Sequence, residues 1–207
     1  VVFYLYKKST YNNQEAQKWW LSKSLYNFQK KLNDLNINLE VIKTDSYKFF
    51  FDKLFKAKDI SIYWNKVYEP DYLKFDDYLL KNLKIKNIPF KICKGNALNE
   101  IDEVKKSDGT PFKVFTPFWR NAEKYYFEKI PSKEKKIRKC LKRKNYLKNL
   151  IEPKEILPKN NWFKNFEKIW SPSEENALKE LQNFIKNRII DYSDGRNFPN
   201  IIGTSKL

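Results

Sequence analysis

The chain has 207 residues, a formal net charge of +17, and neither histidine nor methionine. Without an imidazole, most zinc sites, catalytic triads and imidazole acid–base chemistry are excluded, and with 41% hydrophobic and 17% aromatic residues the chain is too apolar to be disordered. No stretch approaches the roughly 20 apolar residues of a membrane span, and the opening VVFYLY is too short for a signal-peptide core, so a soluble, cytoplasmic protein is expected.

Val1 to Tyr6 is an apolar, β-branched and aromatic run of strand length. Glu15 to Leu35 reads as a helix with a broad apolar face, Ala16, Trp19, Trp20, Tyr26 and Phe28, followed by Leu32 and Leu35. Trp19 and Trp20 are expected as packing aromatics rather than electron carriers. Leu39 to Lys43 is a second short strand. Ser46 to Lys56 is a helix with Phe49, Phe50, Leu54 and Phe55 mostly on one side. Ile60 to Trp64 is a third strand. Pro70 opens a helix through about Asn87, with Tyr72, Phe75, Leu79, Leu80 and Leu83 inward, since proline suits a first helical position. Pro89 to Cys93 is a fourth strand.

Strands that alternate with helices of this length predict an α/β protein of βαβ units with a parallel sheet. Ligands in such sheets bind outside the carboxyl ends of the strands, here Tyr6-Lys7, Lys43-Thr44, Asn65-Lys66 and Lys94-Gly95. The chain has only four glycines and no glycine-rich loop after a strand, which excludes a standard dinucleotide-binding unit.

Beyond the fourth strand, Asp108-Gly109 signals a turn, and a helix is expected from Pro117 to Glu128. The intervening FTPFW reads as a buried hinge. From Ile130 to Trp170 the pattern weakens into a partly helical connection broken by Pro131, Pro153 and Pro158. It holds the basic run from Lys133 to Lys144, whose mutual repulsion predicts a solvated linker. Cys93 and Cys140, far apart and without metal-ligand spacing, are expected as reduced thiols. Ser171-Pro172-Ser173-Glu174 has the form of a capping box with proline at the first helical position. The helix behind it carries Ala177, Leu178, Leu181, Phe184, Ile185 and Ile189 at helical spacing, and then YSDGRNFPNIIGTSKL is polar and turn-rich.

The positive charge fits a nucleic-acid or other anionic partner. Lysine in the company of abundant Asn and Ile is equally what an AT-rich coding sequence produces, so composition does not choose. The local constellation Tyr192, Arg196, Thr204, Ser205 is more pointed. Hydroxyls of a Thr-Ser pair can bind phosphate, a tyrosine can cover a ring or donate to an anion, and an arginine can meet a phosphate bidentately.

Tyr192-x-x-x-Arg196-x-x-Pro199 followed by Gly203-Thr204-Ser205-Lys206-Leu207 resembles the flavin-binding entry of the DNA photolyase and cryptochrome family, with Lys206 where the family usually has arginine. Three further segments agree in order: Ala16-x-x-Trp19-Trp20-Leu21, Trp64-Asn65-x-x-Tyr68-Glu69-Pro70, and Val114-Phe115-Thr116-Pro117-Phe118-Trp119. The resemblance implies a parallel, Rossmann-like antenna domain over 1–120, a connection over 121–170, and the start of an all-α FAD-binding domain over 171–207. It implies that Tyr192, Thr204, Ser205, Lys206 and Leu207 contact FAD and that Arg196 contacts the DNA backbone. It further implies a monomer that splits cyclobutane pyrimidine dimers in damaged DNA with light, or a cryptochrome-type photoreceptor. In folate-antenna members an Asn-Glu pair stands where this chain has Asp71 and Tyr72, so a folate or a deazaflavin antenna stays open. The lack of methionine and a final motif cut after Leu207 predict a fragment of a longer protein. A basic α/β nucleic-acid-binding module with no cofactor is the reading that sets the resemblance aside.

Overall fold

The computed structural model describes residues 1–95, 97, 99–100, 103–126 and 150–204. The basic run 133–144, Cys140, and Ser205, Lys206 and Leu207 lie outside the described residues. The chain divides into two compact units, 1–45 with 137–207, and 46–136.

In the first unit, β1 (Val2–Tyr6) and β2 (Leu39–Lys43) pair in parallel, with Val2 opposite Leu39 and Tyr6 opposite Lys43. The helix α1 (Glu15–Asn33) makes the crossover between them. Tyr6, Leu25, Leu32, Leu39, Val41 and Ile156 form the core. The buried face of α1 is Trp19, Ser22, Leu25 and Leu32, a narrower stripe than the aromatics suggested. Trp20, Tyr26 and Phe28 fall off that stripe and are exposed. Trp19 is a packing residue, edge-on to Phe166, with its indole N–H donating to Glu167 at 3.4 Å. Ser22 explains how a polar residue enters the stripe: its hydroxyl donates to the Pro153 carbonyl at 2.7 Å. The end of the expected connection thus packs into this unit. Leu150 bridges to Ile42, and the Ile151 N–H donates to the Val41 carbonyl along the free edge of β2.

The second unit repeats the motif. The helix α2 (Tyr47–Leu54) has Ser46 as N-cap. After it, β3 (Ile62–Asn65) and β4 (Phe90–Cys93) pair in parallel across α3 (Pro70–Ile85). Phe55, Leu79 and Leu83 form the core, with Phe51, Trp64, Phe75 and Phe90 against it. Phe51, not Phe49, serves the core from α2; Phe49 is exposed beneath the Lys53 ammonium. The helix α4 (Phe115–Tyr126) begins two residues before the expected Pro117, which proline permits because the first turn has no intrahelical partner for its N–H. FTPFW is therefore helical, and it is not a buried hinge: Phe115 is 71% exposed and stacks on Trp119 one turn along.

The scarcity of glycine has a structural counterpart at the helix ends. Asn36 after α1 and Asn87 after α3 adopt left-handed φ values of 57° and 52°. In each case the next residue closes the turn, Ile37 onto the Leu32 carbonyl and Ile88 onto the Leu83 carbonyl, and its side chain packs on the core. This is the Schellman arrangement with asparagine in the glycine position.

Candidate functional site

The site is built at the end of the first unit. The helix α5 (Glu174–Asn187) is capped by Ser173, whose side chain accepts from the Asn176 N–H at 3.2 Å. The expected capping box is thus shifted by two residues, and Pro172 precedes the helix rather than opening it. Ser173 has the extended backbone an N-cap needs, and Asn176 reaches back to the Ser171 carbonyl. Two contacts fix this start to α1: Asn27 Nδ2 donates to the Pro172 carbonyl at 2.9 Å, and Lys31 pairs with Glu174.

At the other end, the N–H groups of Arg188 and Ile189 both turn back onto the Phe184 carbonyl, which stops the helix. The one-turn helix α6 (Tyr192–Gly195) follows, and successive tight turns bring Gly203 back against it. Gly203 is buried, and a Cβ there would lie 2.3 Å from the Gly195 carbonyl carbon and oxygen. Only glycine permits this approach.

Of the residues singled out in the sequence, Tyr192, Arg196 and Thr204 lie among the described residues. The Tyr192 ring meets the Phe184 ring edge-on at 5.5 Å, and the Arg196 guanidinium lies over Tyr192, 5.5 Å from the ring centroid. Thr204 is held from below, since Arg188 Nη1 donates to its carbonyl at 3.2 Å. Gly195, Arg196, Pro199, Asn200 and Thr204 line an open hollow of about 330 Å³. Phe198, Ile201 and Ile202 complete the lining, so the concavity is part apolar, with Arg196, Asn200 and Thr204 as its polar side chains, groups able to donate to a phosphate. Tyr192 does not itself line the hollow; it is joined to it through Arg196. Arg188 belongs to no motif in the sequence; its only signal there is that it is one of five arginines in a chain whose cations are nearly all lysine.

The carboxyl ends of β3 and β4 form a second polar cluster, in the other unit. Tyr68 donates to Glu100, Lys66 lies 3.4 Å from the same carboxylate, and Lys94 pairs with Glu103. The Tyr68 hydroxyl, helped by Lys66, holds the Glu100 carboxyl below its ordinary range. The Asn65 side chain packs against Gly95, where a Cβ would come within 2.9 Å of its Nδ2. Glu69 occupies the N-cap position of α3 without a side-chain bond to the helix. Asp76 is buried below, its carboxyl raised by that burial. The nearby Trp64 N–H partly opposes the shift. These groups answer one another, so the antenna chromophore gains no assigned ligand here. Among the described residues no group of acidic, cysteine or histidine side chains could hold a metal ion, and no helix is long and apolar enough to cross a membrane.

Parallel strand–helix–strand units, followed in the chain by helices that carry Tyr192 and Arg196, define an α/β protein with a helical C-terminal extension. The family model for DNA photolyase matches residues 1–136, and the chain belongs to that family. It is 29% identical to a deoxyribodipyrimidine photo-lyase of Agrobacterium fabrum over 99% of this chain and 43% of the relative. It is 26% identical to cryptochrome-2 of Arabidopsis thaliana over 92% of this chain and 32% of that one. A crystal structure of a bacterial class III photolyase from Agrobacterium tumefaciens superposes with a TM-score of 0.80 at 27% identity, covering 100% of this chain and 43% of that one. The chain thus spans less than half the length of these relatives.

Proposed function

We propose that the protein carrying this chain is a light-driven DNA-repair flavoprotein that splits cyclobutane pyrimidine dimers. The observation that supports this most is the likeness of the whole chain to a photolyase in both sequence and fold. Its family generally uses FAD and an antenna chromophore. In this reading Tyr192, Thr204, Ser205, Lys206 and Leu207 hold FAD, and Arg196 meets the backbone of damaged DNA. The antenna, folate or deazaflavin, is unassigned. The division 1–120, 121–170 and 171–207 and a monomeric, cytoplasmic protein belong to the same reading.

In this reading the hollow takes the phosphate end of the cofactor on the side of Thr204 and Asn200, while Arg196, on its rim, faces the nucleic acid. When bound in its reduced form, FAD supplies a light-excited electron to the dimer and recovers it once the ring splits, with no net redox change. The residues in hand orient and bind. Thr204 contributes its hydroxyl, Tyr192 an aromatic face backed by Phe184, and Arg196 a cation that can reach a nucleic-acid phosphate. No side-chain acid, base or nucleophile is required, in keeping with a chain that lacks histidine. A photoreceptor without repair activity is the second reading, supported by the match to cryptochrome-2. The photo-lyase relatives are the more similar. Blue-light-dependent loss of thymine dimers from an oligonucleotide, catalysed by the complete protein, separates the two. Turnover supports repair; flavin reduction without any loss of dimers leaves the photoreceptor.

A further inference from the structure

We infer that Arg188 is a positioning residue for the cofactor-phosphate site, acting through the Thr204 carbonyl. The inference rests on the reading of Thr204 as an FAD contact and assigns a role to a side chain outside that motif.

Three observations carry it. First, Arg188 is the residue at which α5 ends, and its backbone is tied to Phe184 at 2.9 Å, so its side chain leaves from a fixed point. Second, that side chain reaches across sixteen residues to the Thr204 carbonyl at 3.2 Å. A guanidinium donor to a carbonyl is charge-assisted and directional. Third, the Gly195–Gly203 approach and the Gly203 N–H on the Ile201 carbonyl hold the backbone just before Thr204. Arg188 adds a side-chain restraint at Thr204 itself. Arg188 and Arg196 thus have separate tasks: one holds the Thr204 backbone, the other lies over Tyr192 and lines the hollow.

The test uses the complete protein and measures FAD affinity from the fluorescence of released flavin, with the thermal midpoint of the cofactor-free form as a control. Arg188→Ala is expected to weaken FAD about tenfold while the cofactor-free midpoint stays put, because the residue is only half-buried and its side chain serves one carbonyl. Arg188→Lys keeps a charged donor and is expected to recover most of the affinity, to within roughly threefold of wild type. Thr204→Ala is the internal reference. If Thr204→Ala loses FAD while Arg188→Ala does not, the inference fails and the reading of the motif stands. If neither loses it, the reading of the motif itself fails. If Arg188→Ala and Arg188→Lys lose FAD equally and both lower the cofactor-free midpoint, Arg188 is merely a structural residue and the inference is overturned.

Discussion

The Arg196 guanidinium rests over the ring of Tyr192, 5.5 Å from its centroid, so the residue expected to meet DNA and the residue expected to meet the flavin form one stacked pair. The spacing Tyr-x-x-x-Arg produces this directly: four residues span one helical turn, and α6 is that turn. A cation held over an aromatic face keeps its in-plane N–H donors directed outward. In the proposed role, this pairing would preorganise Arg196 for a phosphate.

The two roles should separate on substitution. Arg196→Ala is expected to weaken binding to dimer-containing DNA, and to reduce the slope of log affinity against log salt by about one, the signature of one lost phosphate contact. Flavin content should be unchanged. A binding titration at several salt concentrations reads the first, and the visible spectrum reads the second. An unaltered slope would remove Arg196 from the DNA contact.

Gly203→Ala tests the fold-back. A methyl group would sit 2.3 Å from the Gly195 carbonyl, and the obstacle is backbone rather than a side chain that can swing away. Displacing it costs about 1–3 kcal/mol, in line with other overpacking changes. The expected result is loss of bound flavin at a mild denaturant concentration at which the wild type keeps it. Gly109→Ala is a poor control, since Gly109 has a φ of 80°, strained for any other residue, although nothing crowds it.

Much of this architecture was legible in the sequence, and the misses share a cause. Element order, the parallel pairing and the crossover helices follow from short apolar runs of strand length that alternate with longer segments of helical spacing. Which aromatics are buried did not follow. Trp20, Tyr26, Phe28 and Phe49 are exposed, while Ser22 and Asp76 are inside. Hydrophobicity cannot reveal that a serine enters the core when a proline carbonyl arrives 131 residues later to accept from it. The cap of α5 moved from Ser171 to Ser173 because two serines flank one proline, and only the backbone angles choose between them. The Tyr192–Arg196 pairing could be read from spacing; the Gly195–Gly203 contact and the reach of Arg188 to Thr204 could not, being set by how the turns close.

Glu40 predicts a pH effect on stability in the first unit. It lies in β2, 4% exposed, and its Oε2 has no hydrogen-bond partner among the described residues. Burial raises its carboxyl above the ordinary range. The unfolded chain loses this proton at the ordinary value and the folded chain only at a higher pH. The associated stability is therefore complete below the ordinary carboxylate range and declines as pH rises through the folded value. Glu40→Gln should flatten that decline and leave the protein at neutral pH at least as stable as wild type, by up to about 1 kcal/mol. Denaturant midpoints from pH 4 to pH 8 check it; a variant as pH-sensitive as wild type, or less stable at neutral pH, contradicts it.

The most direct test of the central reading is the visible absorption spectrum and flavin stoichiometry of the complete protein, purified without added cofactor, next to its Tyr192→Ala and Thr204→Ala variants. The account predicts a yellow protein with close to one FAD per polypeptide, and reduced occupancy in both variants. A colourless wild type, or variants that keep their flavin in full, would contradict it.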